Sequence, residues 1–193
     1  MESIALTDHG ALYGAVEFYS TAKDYGLKPI IGCEAYIAPK DRHSRESSDK
    51  NFHHLTIISK NEQGYNNLIQ LITKAHLEGF YYKPRIDREL LQEYHEGLVV
   101  MSGCPSAEVP TLLSEGQTEK ASETVSWYKE VFGNDYYLEI QRHDIEPEVK
   151  VNDGLLRLHH KLGVSLVATN DSHYLTKDDA VAHDVLLMVG VLG

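Results

Sequence analysis

Short runs of β-branched and apolar residues alternate along the chain with longer amphipathic stretches. The runs SIALT (3–7), KPIIGCEAYIA (28–38), HHLTIIS (53–59), GLVVMS (97–102), YYLEIQ (136–141) and VSLVAT (164–169) predict six strands. Helical patterns fill the intervals at 12–26, 61–79, 87–95, 106–132, 147–162 and 176–189. Gly26 and Gly79 stand where C′ glycines would close the first two helices. Strands apolar on both faces that alternate with helices predict an α/β fold with a parallel sheet covered by helices. The one polar, low-hydrophobicity segment, PKDRHSRESSDKN at 39–51, predicts a mobile surface loop. With no long Gly/Ser or Pro-rich linker and no repeat, the expectation is a single domain over 1–193.

Composition narrows the class. A hydrophobic content of 42% in 193 residues supports a sizeable core, and no apolar run approaches the ~20 residues that span a bilayer. The opening MESIALTDHG lacks the basic and apolar regions of a signal peptide, so no membrane partner is expected. Two cysteines, Cys33 and Cys104, do not make a disulfide framework at this length, which points to a reducing, cytoplasmic setting. The formal charge of -11 argues against gripping nucleic acid mainly by overall charge, but suits a site that concentrates divalent cations.

The unusual residues gather near strand ends, where the loops of parallel α/β folds converge. Asp8 and His9 follow the first strand, Cys104 the fourth, Glu139, Gln141 and His143 occupy the end of the fifth, and Asp171 and His173 follow the sixth. Glu34 lies inside its strand and the His53–His54 pair starts another, so these fit the pattern less well. Each has a bland reading: Asp8-His9 as a capped turn, Cys104 as a small buried filler, at most one of His53 and His54 facing inward. A carboxylate such as Glu34 on an apolar strand is harder to dismiss, because burial is costly without a partner or an ion. Asp171 and His173 share a face if the strand persists through them. Imidazole, carboxylate and thiolate together suit zinc, manganese or iron, with Cys104 favouring zinc. Such multinuclear clusters hydrolyse phosphoesters.

The segments ALTDHGALYGAVEFY, KPIIGCEAYIAP, HHLTIISKNEQGYNNLIQLITKAHLEGFYYKPRID, LVVMSGC and VATNDSHYL, in this order, resemble the PHP (polymerase and histidinol phosphatase) domain of bacterial DNA polymerase III alpha subunits, the C-family replicative polymerases. The GYNNL and GFYYKPRID block narrows the resemblance to that polymerase. It implies a distorted (βα)7-type barrel with up to three divalent ions at its mouth. It also implies metal ligands at His9, Glu34, His54, Cys104, Asp171 and His173, with His54 rather than His53 because it directly precedes Leu55-Thr56. Asp8 would orient His9, the catalytic set would be Asp8, His9, Asp171 and His173, and His143 is a lesser candidate near the mouth.

The family's opening strand with a His-x-His pair precedes TDHG, and neither it nor the polymerase carboxylates stand in this sequence. The expectation is a truncated piece of a DNA-directed DNA polymerase, a nucleotidyltransferase of DNA replication, whose domain is a metal-dependent phosphoesterase of 3′–5′ exonuclease type, impaired by loss of two imidazoles. The implied partners are DNA, the rest of the alpha subunit, a separate proofreading exonuclease subunit and a sliding clamp. Two other readings stand beside it. One is a stand-alone phosphoesterase of histidinol-phosphatase type, which needs no FYYKPRID segment. The other is a non-catalytic module that docks a proofreading subunit, which degenerate ligands would mark.

Overall fold

The computed structural model describes residues 1–143 and 146–192. Its strands are β1 (Ser3–Leu6), β2 (Lys28–Ile37), β3 (His53–Ser59), β4 (Arg85–Ile86), β5 (Leu98–Met101), β6 (Tyr136–Ile140) and β7 (Ser165–Ala168). Its helices are α1 (Ala15–Asp24), α2 (Glu62–Leu77), α3 (Arg88–Glu93), α4 (Glu108–Ser114), α5 (Thr118–Phe132), α6 (Glu146–Leu162) and α7 (Ala180–Leu192). The six predicted strands form one continuous path, β1-β2-β3-β5-β6-β7, and the two-residue β4 adds to β2. The sheet curls as an open (βα)-type barrel: among the described residues β1 pairs only with β2 and β7 only with β6.

Five of the strands on this path run in one direction, and β3 is reversed. The expected all-parallel sheet is therefore mixed. Parallel neighbours need a crossover, and the 38–52 connection between β2 and β3 contains only one 3-10 turn, Ser47–Lys50, so the chain comes back antiparallel.

That connection is also not the loose loop its polarity suggests. Arg42 is only 9% exposed and its guanidinium meets Asp87, Glu78 and Glu89. Arg85 is fully buried and donates to the carbonyls of Gly79, Asp49, Arg42 and Ser44. The KPRID residues thus sew 42–49 to the barrel wall, because a buried guanidinium must find an acceptor for each N–H.

Helix limits follow local chemistry. The Asn61 side chain accepts the Gly64 N–H at 2.9 Å and the Asp87 side chain accepts the Leu90 N–H at 3.0 Å, capping α2 and α3. The single helix expected over 106–132 is broken into α4 and α5, with Gly116 between them at φ +76. Gly79 serves space rather than a left-handed turn: a Cβ there would lie 1.8 Å from the Arg85 carbonyl oxygen. Beneath the sheet, α2 contributes Leu68, Leu71, Ile72 and Ala75 at helical spacing. Complete burial of a leucine such as Leu68 or Leu71 stabilises by about 1.5–3 kcal/mol. Among the described residues no helix is long and apolar enough to cross a membrane.

Candidate metal centre

The site begins with a register. β1 and β2 pair in parallel, and the pairing continues past β1 as a bridge between His9 and Glu34. The Glu34 N–H donates to the Asp8 carbonyl and the Gly10 N–H to the Glu34 carbonyl, each at 3.0 Å. This is why Glu34, well inside β2, still meets a residue from beyond the end of β1. On the other side of β2, the antiparallel register sets Tyr36 opposite His54 and Glu34 opposite Thr56. Glu34 and His54 are thus diagonal neighbours on one face.

The Glu34 carboxylate lies between two imidazoles, with Oε1 2.7 Å from His54 Nδ1 and Oε2 3.5 Å from His9 Nδ1. One donor atom from each of His9, Glu34 and His54 falls within 4.8 Å of the others. Cys104, on the loop after β5, places its Sγ 3.4 Å from both Glu34 Oε1 and His54 Nδ1. Ligands 2.0–2.3 Å from a tetrahedral zinc stand roughly 3.3–3.8 Å apart, so the Glu34, His54 and Cys104 donors fit such an ion once the His54–Glu34 contact opens slightly. Cys104 falls outside the 4.8 Å group that His9 forms with Glu34 and His54.

Electrostatics follow from crowding. Burial pushes the Glu34 carboxyl up, but the His54 hydrogen bond and the His9 and His54 charges outweigh it and leave it below its ordinary value. Burial, helped by His54 and His173, lowers His9 against the opposing pull of Glu34. The Cys104 thiol is pushed up to about 12 by burial and by Glu34, a bias that a bound cation reverses.

The other expected residues stand around this cluster. The His173 ring lies 5.7 Å from the His9 ring, and its Nδ1 is 2.8 Å from the Asp171 carbonyl and 3.9 Å from Asp171 Oδ1. The shared face expected of Asp171 and His173 does not come from strand periodicity. β7 ends at Ala168 and Asp171 adopts φ 49, so a turn brings the pair toward His9. Asp8 is exposed, and among the described residues its carboxylate makes no hydrogen bond to His9. His143 is turned away, between Glu148 and the Asn170 carbonyl; those two bonds, Asn170 foremost, raise its pKa. His53 points to the opposite face, beside Lys40, Arg88 and Glu108.

Two surrounding groups, Tyr36 and His183, escaped the sequence reading, and a third, Glu139, was noted at a strand end but not placed in the ligand set. The Tyr36 ring stacks on His9 at 6.0 Å and meets His54 edge-on at 5.4 Å. Its position two residues after Glu34, on the same face of β2, was the available signal. Glu139, 5% exposed, accepts from Thr56 Oγ1, the Gly103 N–H, Gln141 Nε2 and Thr169 Oγ1. His183 of α7 lies 5.6 Å from the His173 ring.

Known proteins match this arrangement. A family profile described as "PHP domain" matches residues 1–143. DNA polymerase III subunit alpha of Borreliella burgdorferi is 47% identical over 98% of this chain and 17% of its own length. The subunits of that name from Deinococcus radiodurans and Thermus aquaticus are each 45% identical over 97% of this chain, which spans 14% and 16% of them. A crystal structure from Bifidobacterium adolescentis, described as a candidate metal-dependent phosphoesterase, shares the fold at a TM-score of 0.50 and 15% identity, over 95% of this chain and 85% of that one. The chain belongs to the PHP domain family.

Proposed function

We propose that this chain is the PHP portion of a DNA polymerase III alpha subunit, and that its His9–Glu34–His54 centre performs phosphodiester hydrolysis of the 3′–5′ exonuclease type. The observation that carries the reading is the buried Glu34 carboxylate held between two imidazoles with a thiol 3.4 Å away. A carboxylate, imidazoles and a sulfur so close together are costly to bury without a cation among them. Glu34, His54, His9 and Cys104 would hold the first divalent ion, zinc by the thiol's preference and manganese or iron as alternatives. Asp171 and His173 complete the set on the His9 side. When bound, such ions lower the pKa of a water and clamp phosphate oxygens.

The chain's own residues orient the reaction. Glu34 and Cys104 are buried, whereas the side chains of His9 and His173 are 40% and 39% exposed, so a phosphodiester approaches from the imidazole side. Tyr36 fixes the His9 ring plane by stacking on it, at an interplanar angle of 12°. DNA, the remaining polymerase, a proofreading subunit and a sliding clamp are the partners this reading assigns.

The test is metal content and competition. Purified chain is titrated with zinc against a chromophoric chelator, and Glu34→Gln and His54→Ala are compared with His53→Ala. Stoichiometric zinc lost in the first two variants and kept in the third is expected. Equal binding by all three would sink the assignment. Removal of a 3′ nucleotide from a labelled oligonucleotide, measured in the intact polymerase with and without Glu34→Gln, tests the hydrolytic part.

A further inference from the structure

Three cations beside the metal centre have no carboxylate partner among the described residues, and each lies over a tyrosine ring. Arg45 Cζ is 5.9 Å from the Tyr81 centroid, Lys50 Nζ 4.7 Å from Tyr82, and Lys83 Nζ 5.6 Å from Tyr36. Their basic neighbours are neutralised: Lys40 by Glu46, Arg42 by Asp87, Glu78 and Glu89, Arg88 by Glu108. Arg45 donates to the Arg42, Ser44 and Glu78 carbonyls, which are neutral and leave its charge uncancelled, while the nearby Asp41 and Asp49 carboxylates are turned into their own loop onto Ser44 and backbone N–H groups.

The turn at 80–83 presents rings to solvent. Tyr82 is 60% and Phe80 54% exposed, and Tyr82 adopts φ 60, a left-handed conformation that costs a non-glycine residue energy. The turn closes on itself through the Tyr81 N–H to the Lys83 carbonyl. It also abuts the metal centre. Lys83 lies on Tyr36, the ring stacked on His9, and a Cβ at Gly10 would come within 2.9 Å of Pro84 Cγ.

Cations interleaved with exposed aromatic rings are the combination that binds single-stranded nucleic acid: the charges meet phosphates and the rings stack on bases. A duplex, with its bases paired and inward, cannot use the rings. We infer that the 80–83 turn, with Arg45 and Lys50, is a track for single-stranded polynucleotide that delivers its end to the His9–Glu34–His54 centre. The delivery rests on the hydrolytic reading above; the track itself is tested without metal.

The experiment is fluorescence anisotropy of 5′-fluorescein dT12 with the whole chain in EDTA, over a range of NaCl concentrations. Three phosphate contacts predict a log–log salt slope of about -2, and Lys50→Ala or Lys83→Ala should each lower it by about 0.7. Tyr82→Ala should weaken binding roughly fivefold or more, with recovery in Tyr82→Phe. Urea midpoints confirm that the variants fold. Wild-type affinity in the lysine and Tyr82→Ala variants would overturn the track. So would equal displacement of dT12 by a duplex or by poly-glutamate, which would mark a surface for acidic protein instead. Cobalt binding by the same proteins after removal of EDTA separates the two proposals: a wild-type chain that binds dT12 but no cobalt refutes the metal centre and leaves the track standing.

Discussion

Glu139 offers the sharpest test of how the site is built. It is buried to 5% exposure and is the acceptor at which four segments meet: Thr56 of β3, Gly103 beside Cys104, Gln141 after β6 and Thr169 after β7. In Glu139→Ala the threonine hydroxyls can rotate to other acceptors and Gln141 Nε2 keeps Thr169 Oγ1 at 3.3 Å, but the Gly103 N–H loses its acceptor. One buried donor left unsatisfied costs about 1–3 kcal/mol, hence ~2 kcal/mol. For a chain of this size that corresponds to a fall of ~4–8 °C in Tm. Glu139→Gln should behave differently. Its amide nitrogen can donate to Thr169, and Gln141 can turn over to present its Oε1, which is buried without a partner among the described residues. The expected cost is below about 1 kcal/mol. Urea and thermal unfolding of the three proteins measure both numbers, and Cys104 should label faster in Glu139→Ala because Gly103 is released. A Glu139→Ala protein within 1 kcal/mol of wild type, or a Glu139→Gln protein as weak as the alanine variant, would refute the argument.

Three further outcomes are expected. Glu34→Gln should lower zinc affinity at least ~100-fold, since it weakens the donor between two imidazoles; equilibrium dialysis measures it. Zinc should protect Cys104 from a thiol reagent while the fully buried Cys33 stays unreactive in both states, and equal Cys104 rates would return it to packing. The Arg42 hydrogen bond, followed by that of Lys74, holds the Glu78 carboxyl below its ordinary value of 4.5. That stabilisation is present above the ordinary value and lost as pH falls through the lowered one, so wild type should lose urea resistance in acid more steeply than Glu78→Gln; parallel slopes would contradict the pairing.

The sequence revealed what local chemistry decides and hid what distant contacts decide. The six strands of the main path were legible because β-branched runs interrupt amphipathic stretches. β4 was not, since its two residues, Arg85 and Ile86, pair with Tyr36 and Ile37 nearly fifty positions earlier. The direction of β3 depends on how the 38–52 connection packs, which composition does not encode. Polarity at 39–51 suggested mobility because the partners that immobilise Arg42 and Asp49 lie at 78–89. At the site, residue types were readable and convergence was not. Glu34 looked misplaced inside its strand until the β1 register carried His9 alongside it.

That register also divides the centre into two halves of different stiffness. Glu34, His54 and Cys104 belong to or directly follow β2, β3 and β5, each hydrogen-bonded on both sides. His9 follows β1, and Asp171 and His173 follow β7, strands that among the described residues pair on one side. Burial follows the same division: side-chain exposure is 9% for Glu34 and 18% for His54, but 40% for His9 and 39% for His173. A ladder on both sides fixes a side chain's origin, whereas an edge strand leaves its following loop free to adjust at little cost. On the proposed reading the Glu34–His54–Cys104 half is therefore preformed for an ion, and the half made of His9, Asp171 and His173 would adjust around it. On the hydrolytic reading proposed above this is a workable division, because the buried half would set affinity while the exposed half would let substrate in and product out.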